Sequence, residues 1–221
     1  MKRKLKSLGL AFGVVFAMGA VSASAAQAVT FHMGSQETSL FGEQTHPLTF
    51  FTHPAPLECR SAALTQNGIR GTKVGPSDFT VDALSLTPSC TGKTLEFTLN
   101  TNGCTFELNH TENPSVGAMW LKCPAGKKLV VSIPAWECKF EYGEQGSAEK
   151  PLGGTVSYGS GTLPKETSVT INVQTAYTNA TVKNLACGTP GEIYKARITG
   201  TFTVGGFSTP LHTSQVGFWV A

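Results

Sequence analysis

The chain has 221 residues, of which 14% are charged and 40% hydrophobic, with 17 Lys and Arg against 14 Asp and Glu. Its formal charge of +3 depends on the first 28 residues, whose four basic side chains and no acids leave the remainder at about −1. That balance excludes the basic footprint of a nucleic-acid binder, and the length suits one large domain or two small ones.

The N-terminus has three parts. Lys2, Arg3, Lys4 and Lys6 precede an apolar run from Leu8 to Val21, and small residues then lead to Ala26-Gln27-Ala28. This layout predicts a signal peptide over residues 1–28, cleaved after Ala28. The apolar run falls short of the about 20 residues that span a bilayer, so no transmembrane helix is expected after cleavage. The chain is expected to be secreted, reaching the extracellular space or the cell envelope.

Residues 29–58 contain "THPLTFFTHPAP" and read as a leading strand and loop. Beyond them come short alternating runs: "FTVDALSL", "KTLEFTLN", "CTFELN", "AMWLKC", "KLVVSI", "CKFEY", "TVSY", "SVTINVQTAY", "ARITGTFTV" and "QVGFWV". Gly, Pro and Asn separate them, and no apolar stripe of helical period occurs outside the signal. The pattern predicts an all-β protein, an antiparallel β-sandwich of immunoglobulin-like or jelly-roll-like form over residues 59–221. The stretch "GEQGSAEKPLGG" (143–154) is a place where two small packed β-domains could divide.

Five runs between residues 94 and 142 can be laid side by side. Asn102-Gly103 signals a two-residue type I′ hairpin, placing Leu99 opposite Phe106 and Phe97 opposite Leu108. With Cys123 set opposite Cys104, Leu121 meets Phe106 and Met119 meets Leu108. The "PAGKK" and "PAWE" turns then add Leu129, Val131, Ile133, Cys138, Phe140 and Tyr142 to the same face. A one-residue slip would expose the whole set, so the alternation fixes the register.

All six cysteines (Cys59, Cys90, Cys104, Cys123, Cys138 and Cys187) follow the signal. An even count in an exported chain predicts three disulfides. No Cys-x2-Cys pair occurs and the five His are not interleaved at ligand spacing, so no metal site is expected. The layout predicts Cys104–Cys123. The other four leave three pairings, of which Cys59–Cys90 with Cys138–Cys187 is preferred. In "GCTFELNH" and "ECKFEYGE" the cysteine and the glutamate fall on opposite faces of a strand, so they cannot act together.

On the polar face Trp120 falls opposite Glu107, with Glu96 diagonal to Glu107 on the next strand of this layout. A tryptophan beside two carboxylates is what a sugar-binding surface uses, the ring stacking while the carboxylates accept hydroxyls. The same carboxylates could form a glycosidase pair. Against both readings, a loop or second sheet could simply cover Trp120. Other candidates are weaker. His46 and His53, each in a "THP" repeat, suit polar surface better than a metal site. Leu163-Pro164-Lys165-Glu166-Thr167 lacks the tail of a sorting signal. Asn109-His110-Thr111 and Asn179-Ala180-Thr181 fit the glycosylation sequon. No hydrolase, phosphate-loop or dinucleotide motif is present, so no catalytic residue and no cofactor is assigned.

The order "NGC-x-F", "KCPAG", "C-x-F" with "EQ", then a late Cys followed by "ITGTFTVGG", resembles a group of uncharacterised secreted proteins of actinobacteria. The likeness covers residues 59–206 and implies an exported, Cys-paired β-protein with no assigned activity. The expected role is binding or structural, with an extracellular ligand, carbohydrate or cell-surface protein as partner and Trp120, Glu107 and Glu96 as candidate contacts. The alternatives are a secreted hydrolase using Glu96 and Glu107, and a secreted enzyme inhibitor inserting the loop His110–Gly117.

Overall fold

Alternating apolar and polar side chains separated by Gly, Pro and Asn can bury one face only as strands, and the chain folds that way. The computed structural model describes residues 31–34, 37–52, 55–70, 72–73, 79–81, 84–92, 95–110, 116–159, 168–208 and 214–220. Residues 1–28, expected to be a signal peptide, His53, most of the loop His110–Gly117 and the segment 163–167 lie outside the described residues. In chain order the strands are β1 (Phe31–Met33), β2 (Glu37–Phe51), β3 (Pro56–Arg70), β4 (Thr72–Lys73), β5 (Phe79–Val81), β6 (Leu84–Gly92), β7 (Thr98–Asn100) and β8 (Thr105–His110). Then follow β9 (Val116–Lys122), β10 (Leu129–Ile133), β11 (Cys138–Tyr142), β12 (Gly154–Tyr158), β13 (Ser168–Val182), β14 (Ile193–Phe207), β15 (Gln215–Val216) and β16 (Phe218–Val220). No α-helix occurs among the described residues.

The all-β expectation holds, but the sandwich does not. The main sheet runs β14-β2-β3-β6-β7-β10-β11-β13, and β13 pairs again with β14, closing an eight-stranded barrel. In a sandwich two sheets keep free edges; here the twelve-residue ladder from Ser168↔Gly205 to Thr181↔Ile193 seals the last one. A second route around the wall, β6-β8-β9-β12-β13, closes as well. The long strands therefore form a shared wall. Its lower half is completed by β7, β10 and β11, and its upper half by β8, β9 and β12.

Between the halves the long strands are kinked at one level. Register shifts fall between Val173 and Ala176 in β13, around Thr201 in β14, between Glu43 and Thr49 in β2, and between Cys59 and Ser61 in β3. Each such bulge bends its strand and increases the local twist, which lets one wall serve two closures. Where β2 leaves the ladder, Gln44 replaces the lost pairing: its Nε2 donates to Arg60 O at 2.8 Å and its Oε1 accepts from Leu48 N at 3.3 Å.

The inward and outward assignment holds along the five central runs. Phe97, Phe106, Leu108, Met119, Leu121, Leu129, Val131, Ile133, Phe140 and Tyr142 are all buried. The β8–β9 register is the expected one, with Phe106↔Leu121 and Leu108↔Met119, and β10 pairs β11 through Val131↔Phe140. The order of the runs is different. β7 lies between β6 and β10, whereas β8 lies between β6 and β9. Asn102 and Gly103 do take the positive φ values, 49° and 83°, of a type I′ turn, yet the strands they join separate into the two halves.

The core is continuous through both halves. In the upper half a void of about 20 Å³ is lined by apolar side chains such as Leu86, Phe106, Ile171 and Phe202, room for about one water and no more. A small sheet, β16-β1-β5-β4, lies against the barrel: Phe31 meets Tyr158 edge to face at 5.6 Å and stacks on Phe218 at 6.1 Å. Burial pushes the Tyr158 phenol well above its ordinary range, and its O–H donates to Asn109 O at 2.7 Å.

Cys59–Cys90, Cys104–Cys123 and Cys138–Cys187 are the three disulfides. The first ties β3 to β6, the second joins the chain flanking the β8–β9 pair, and the third ties β11 to the turn after β13. Within residues 29–58, β2 is a barrel strand between β14 and β3. On either side of 143–154, β11 and β12 both pair with β13.

Candidate functional site

Glu107 and Trp120 do lie opposite each other. The indole is not an open platform, however. Trp120 is 6% exposed, and its Nε1 donates to Glu107 Oε2 at 2.7 Å. Lys122 Nζ stands 3.2 Å from Glu107 Oε1, so both carboxylate oxygens are engaged.

The cover over Trp120 is the segment 143–153. Leu121 and Gln145 exchange two backbone hydrogen bonds at 2.9 Å, Leu152 N donates to Met119 O at 2.8 Å, and Tyr177 N donates to Gly153 O at 2.7 Å. Gly146, at φ 81°, passes so close that an added Cβ would come within 2.9 Å of the Trp120 Cβ. With the indole faces packed and its donor used, sugar stacking on Trp120 has no room. Glu96 is exposed, in the segment entering β7, and β7 does not neighbour β8. Strand pairing therefore does not place Glu96 diagonal to Glu107, and the proposed acid pair is not assembled by it.

Glu141 is also occupied. Lys128 Nζ lies 3.0 Å and Lys183 Nζ 3.4 Å from its Oε2. Burial pushes its carboxyl up, but the Lys128 hydrogen bond and the charges of Lys128 and Lys183 outweigh that and hold it below the usual carboxylate range. His46 is exposed on β2. Among the described residues no three His, Cys, Asp or Glu gather as metal ligands.

Trp136, in the turn after β10, and Tyr177, on β13, are the exposed aromatics among the described residues, and Tyr177 lies on a different surface from Trp120. After the bulge in β13 the parity reverses, so that Ala176, Thr178 and Ala180 face in and Tyr177 and Asn179 face out. Tyr177 is 39% exposed and stands in a groove of about 400 Å³ with Gln145, Lys150, Leu152, Asn179 and Lys195. The groove has a fixed floor. Gln145 Nε2 donates to Asn179 O at 2.9 Å and its Oε1 accepts from Asn179 N, so the side-chain amide pairs with β13 as a strand would. Lys195 Nζ sits 4.2 Å from the Tyr177 ring centroid, and the Arg197 guanidinium carbon 3.8 Å from that of Phe51. A second groove, of about 330 Å³, is lined by Ser85, Thr105, Glu107 and Lys122; its two hydroxyls already bond each other at 2.9 Å.

Comparison of the chain with protein-family models, curated proteins and solved structures finds no match. The three disulfides fit an extracellular or other oxidising environment. Among the described residues no helix is long and apolar enough to cross a membrane.

Proposed function

We propose that the protein is an exported, disulfide-stapled binding module whose ligand surface is the outside of the barrel wall at the Tyr177 groove. The observation that carries this reading is the pairing of a filled interior with an exposed aromatic in a polar, pre-formed groove. A barrel that held its ligand inside would need a cavity of at least about 300 Å³, and among the described residues the apolar interior lines a void of about 20 Å³. Recognition then falls to the exterior, where Tyr177 offers a ring and Asn179 and Lys195 offer polar contacts. Export is supported by the basic, apolar and small-residue layout of residues 1–28 and by the three disulfides. The resemblance to secreted actinobacterial proteins points the same way. A hydrolase working through Glu96 and Glu107 has no such support, because Glu96 precedes β7 and β7 does not neighbour the β8 of Glu107.

The test is a broad glycan array probed with the disulfide-intact protein and its Tyr177→Ser variant. Binding that disappears in Tyr177→Ser, with melting unchanged, is the expected result. Binding that survives the substitution, or none across the array, rejects the groove as the ligand surface.

A further inference from the structure

Resting on that reading of the groove, we infer that its ligand is an acidic polysaccharide, held by a ladder of cations and rings formed by Phe51, Arg197, Tyr177, Lys195 and Lys150. Phe51, Arg197 and Tyr177 occupy one rung across three neighbouring strands, β2, β14 and β13. Strands lie about 4.8 Å apart, so the rung spans about 10 Å. Lys195, paired with Asn179 two residues along, begins the next rung, and Lys150 approaches from the covering segment.

Three cations without a carboxylate partner come together on this face. Lys122, Lys128 and Lys183 are each within salt-bridge distance of a glutamate. Among the described residues Lys150, Lys195 and Arg197 have no carboxylate partner: the contacts of Lys195 and Arg197 are with the faces of Tyr177 and Phe51. A guanidinium or ammonium on a ring face is held in place while its remaining N–H donors stay available for an anion. Nearby carboxylates are engaged locally, Glu149 accepting from Ser147 Oγ at 2.9 Å and Glu192 from Thr189 N at 3.3 Å. Glu58, on β3 opposite Thr49, also has a partner. Cations spaced over two rungs match a repeating anion better than a single small one. The exposed Tyr177 ring and the Asn179 amide supply the stacking and hydroxyl contacts that a sugar uses and an inorganic anion does not.

The experiment titrates the disulfide-intact protein with polygalacturonate, with dextran as the neutral chain and a single-stranded oligonucleotide as the other polyanion. Saturable binding to polygalacturonate is expected, weakening as salt screens the contacts. Lys150→Ala, Lys195→Ala and Arg197→Ala should each weaken it several-fold and lower the salt slope by about one, since each releases one fewer counterion. Lys195→Glu with Arg197→Glu should abolish it, whereas Lys127→Glu, elsewhere on the surface, should not. Wild-type affinity in the Lys195→Glu/Arg197→Glu protein overturns the inference, as does tighter binding to the oligonucleotide. Dextran binding that is lost in Tyr177→Ser but unaffected by the charge reversals overturns the acidic ligand and leaves the groove reading intact. Binding to none of the three also overturns the inference, and the groove reading then rests on the glycan array alone.

Discussion

The Trp120 indole donates to Glu107 across the β8–β9 pair at 2.7 Å, and segment 143–153 closes over it. A residue pair that looks like a ligand platform in the sequence is thus a joint between the barrel and its covering loop. Trp120→Ala should destabilise by about 3–5 kcal/mol, the usual cost of emptying a large aromatic site, read as a lower urea midpoint. Trp120→Phe should keep most of the packing, losing about 1–3 kcal/mol for the carboxylate contact. Neither variant should alter glycan binding while folded; selective loss of binding in Trp120→Phe would show that the indole is reached by ligand after all.

Glu141 makes the stability pH-dependent in one direction. Its folded-state carboxyl is held below the ordinary range, so it contributes stability above its unfolded value. That contribution is lost as pH falls through the folded value. Melting temperature followed from neutral pH into the acid range should therefore fall less steeply in Glu141→Gln than in wild type. Parallel acid limbs would mean that Lys128 and Lys183 do not hold the ionised form.

Two glycines separate steric demand from backbone demand. Gly154 sits at the β12–β13 bulge with φ 142°, where an added Cβ would collide with the Thr175 carbonyl oxygen. Gly126 has φ 70° with nothing within 4 Å of the added atom. Gly126→Ala should cost about 1 kcal/mol, the price of the left-handed region alone. Gly154→Ala should cost about 3 kcal/mol or more, because backbone must move as well. Equal denaturation midpoints for the two variants would contradict the bulge geometry.

The disulfides differ in the length of chain they restrain. Cys138–Cys187 spans 49 residues and Cys104–Cys123 spans 19. On the loop-entropy model these contribute about 4 and about 3 kcal/mol. Replacing each pair by serine should give the larger loss for Cys138 with Cys187. Peptide mapping without reduction should recover the three cross-links described; a Cys123–Cys138 bridge would rule out this arrangement of strands.

What the sequence disclosed and what it hid divide along a physical line. Period 2 states which face a residue takes, and that reading holds from Phe97 to Tyr142. It does not state which strand lies alongside. Asn102-Gly103 therefore shows its turn correctly, while the partners of β7 and β8 come from residues far away. A sandwich and a closed barrel share the same alternation, so closure by β13 and β14 leaves no local trace. The bulges hid more. Continued without a break from Val169, Ile171 and Val173, the alternation in β13 would put Tyr177 in the core; the irregularity after Val173 turns it outward. Residues 29–58 read as a strand and a loop rather than as one long strand for a similar reason, since the β2 ladder is interrupted between Glu43 and Thr49. The Trp120–Glu107 contact was legible, but its cover was not, because segment 143–153 reads as a linker.

β14 pairs with β2 on one side and β13 on the other, joining Phe51 to Arg197 across most of the chain. Neither half of the barrel can therefore be sealed before residues 193–207 have been made. During synthesis, β2 and β13 wait with unpaired edges, and folding is slow because its decisive contact is so distant in sequence. The last strand to arrive acts as the latch, and the polypeptide stays pliable until almost all of it has been made.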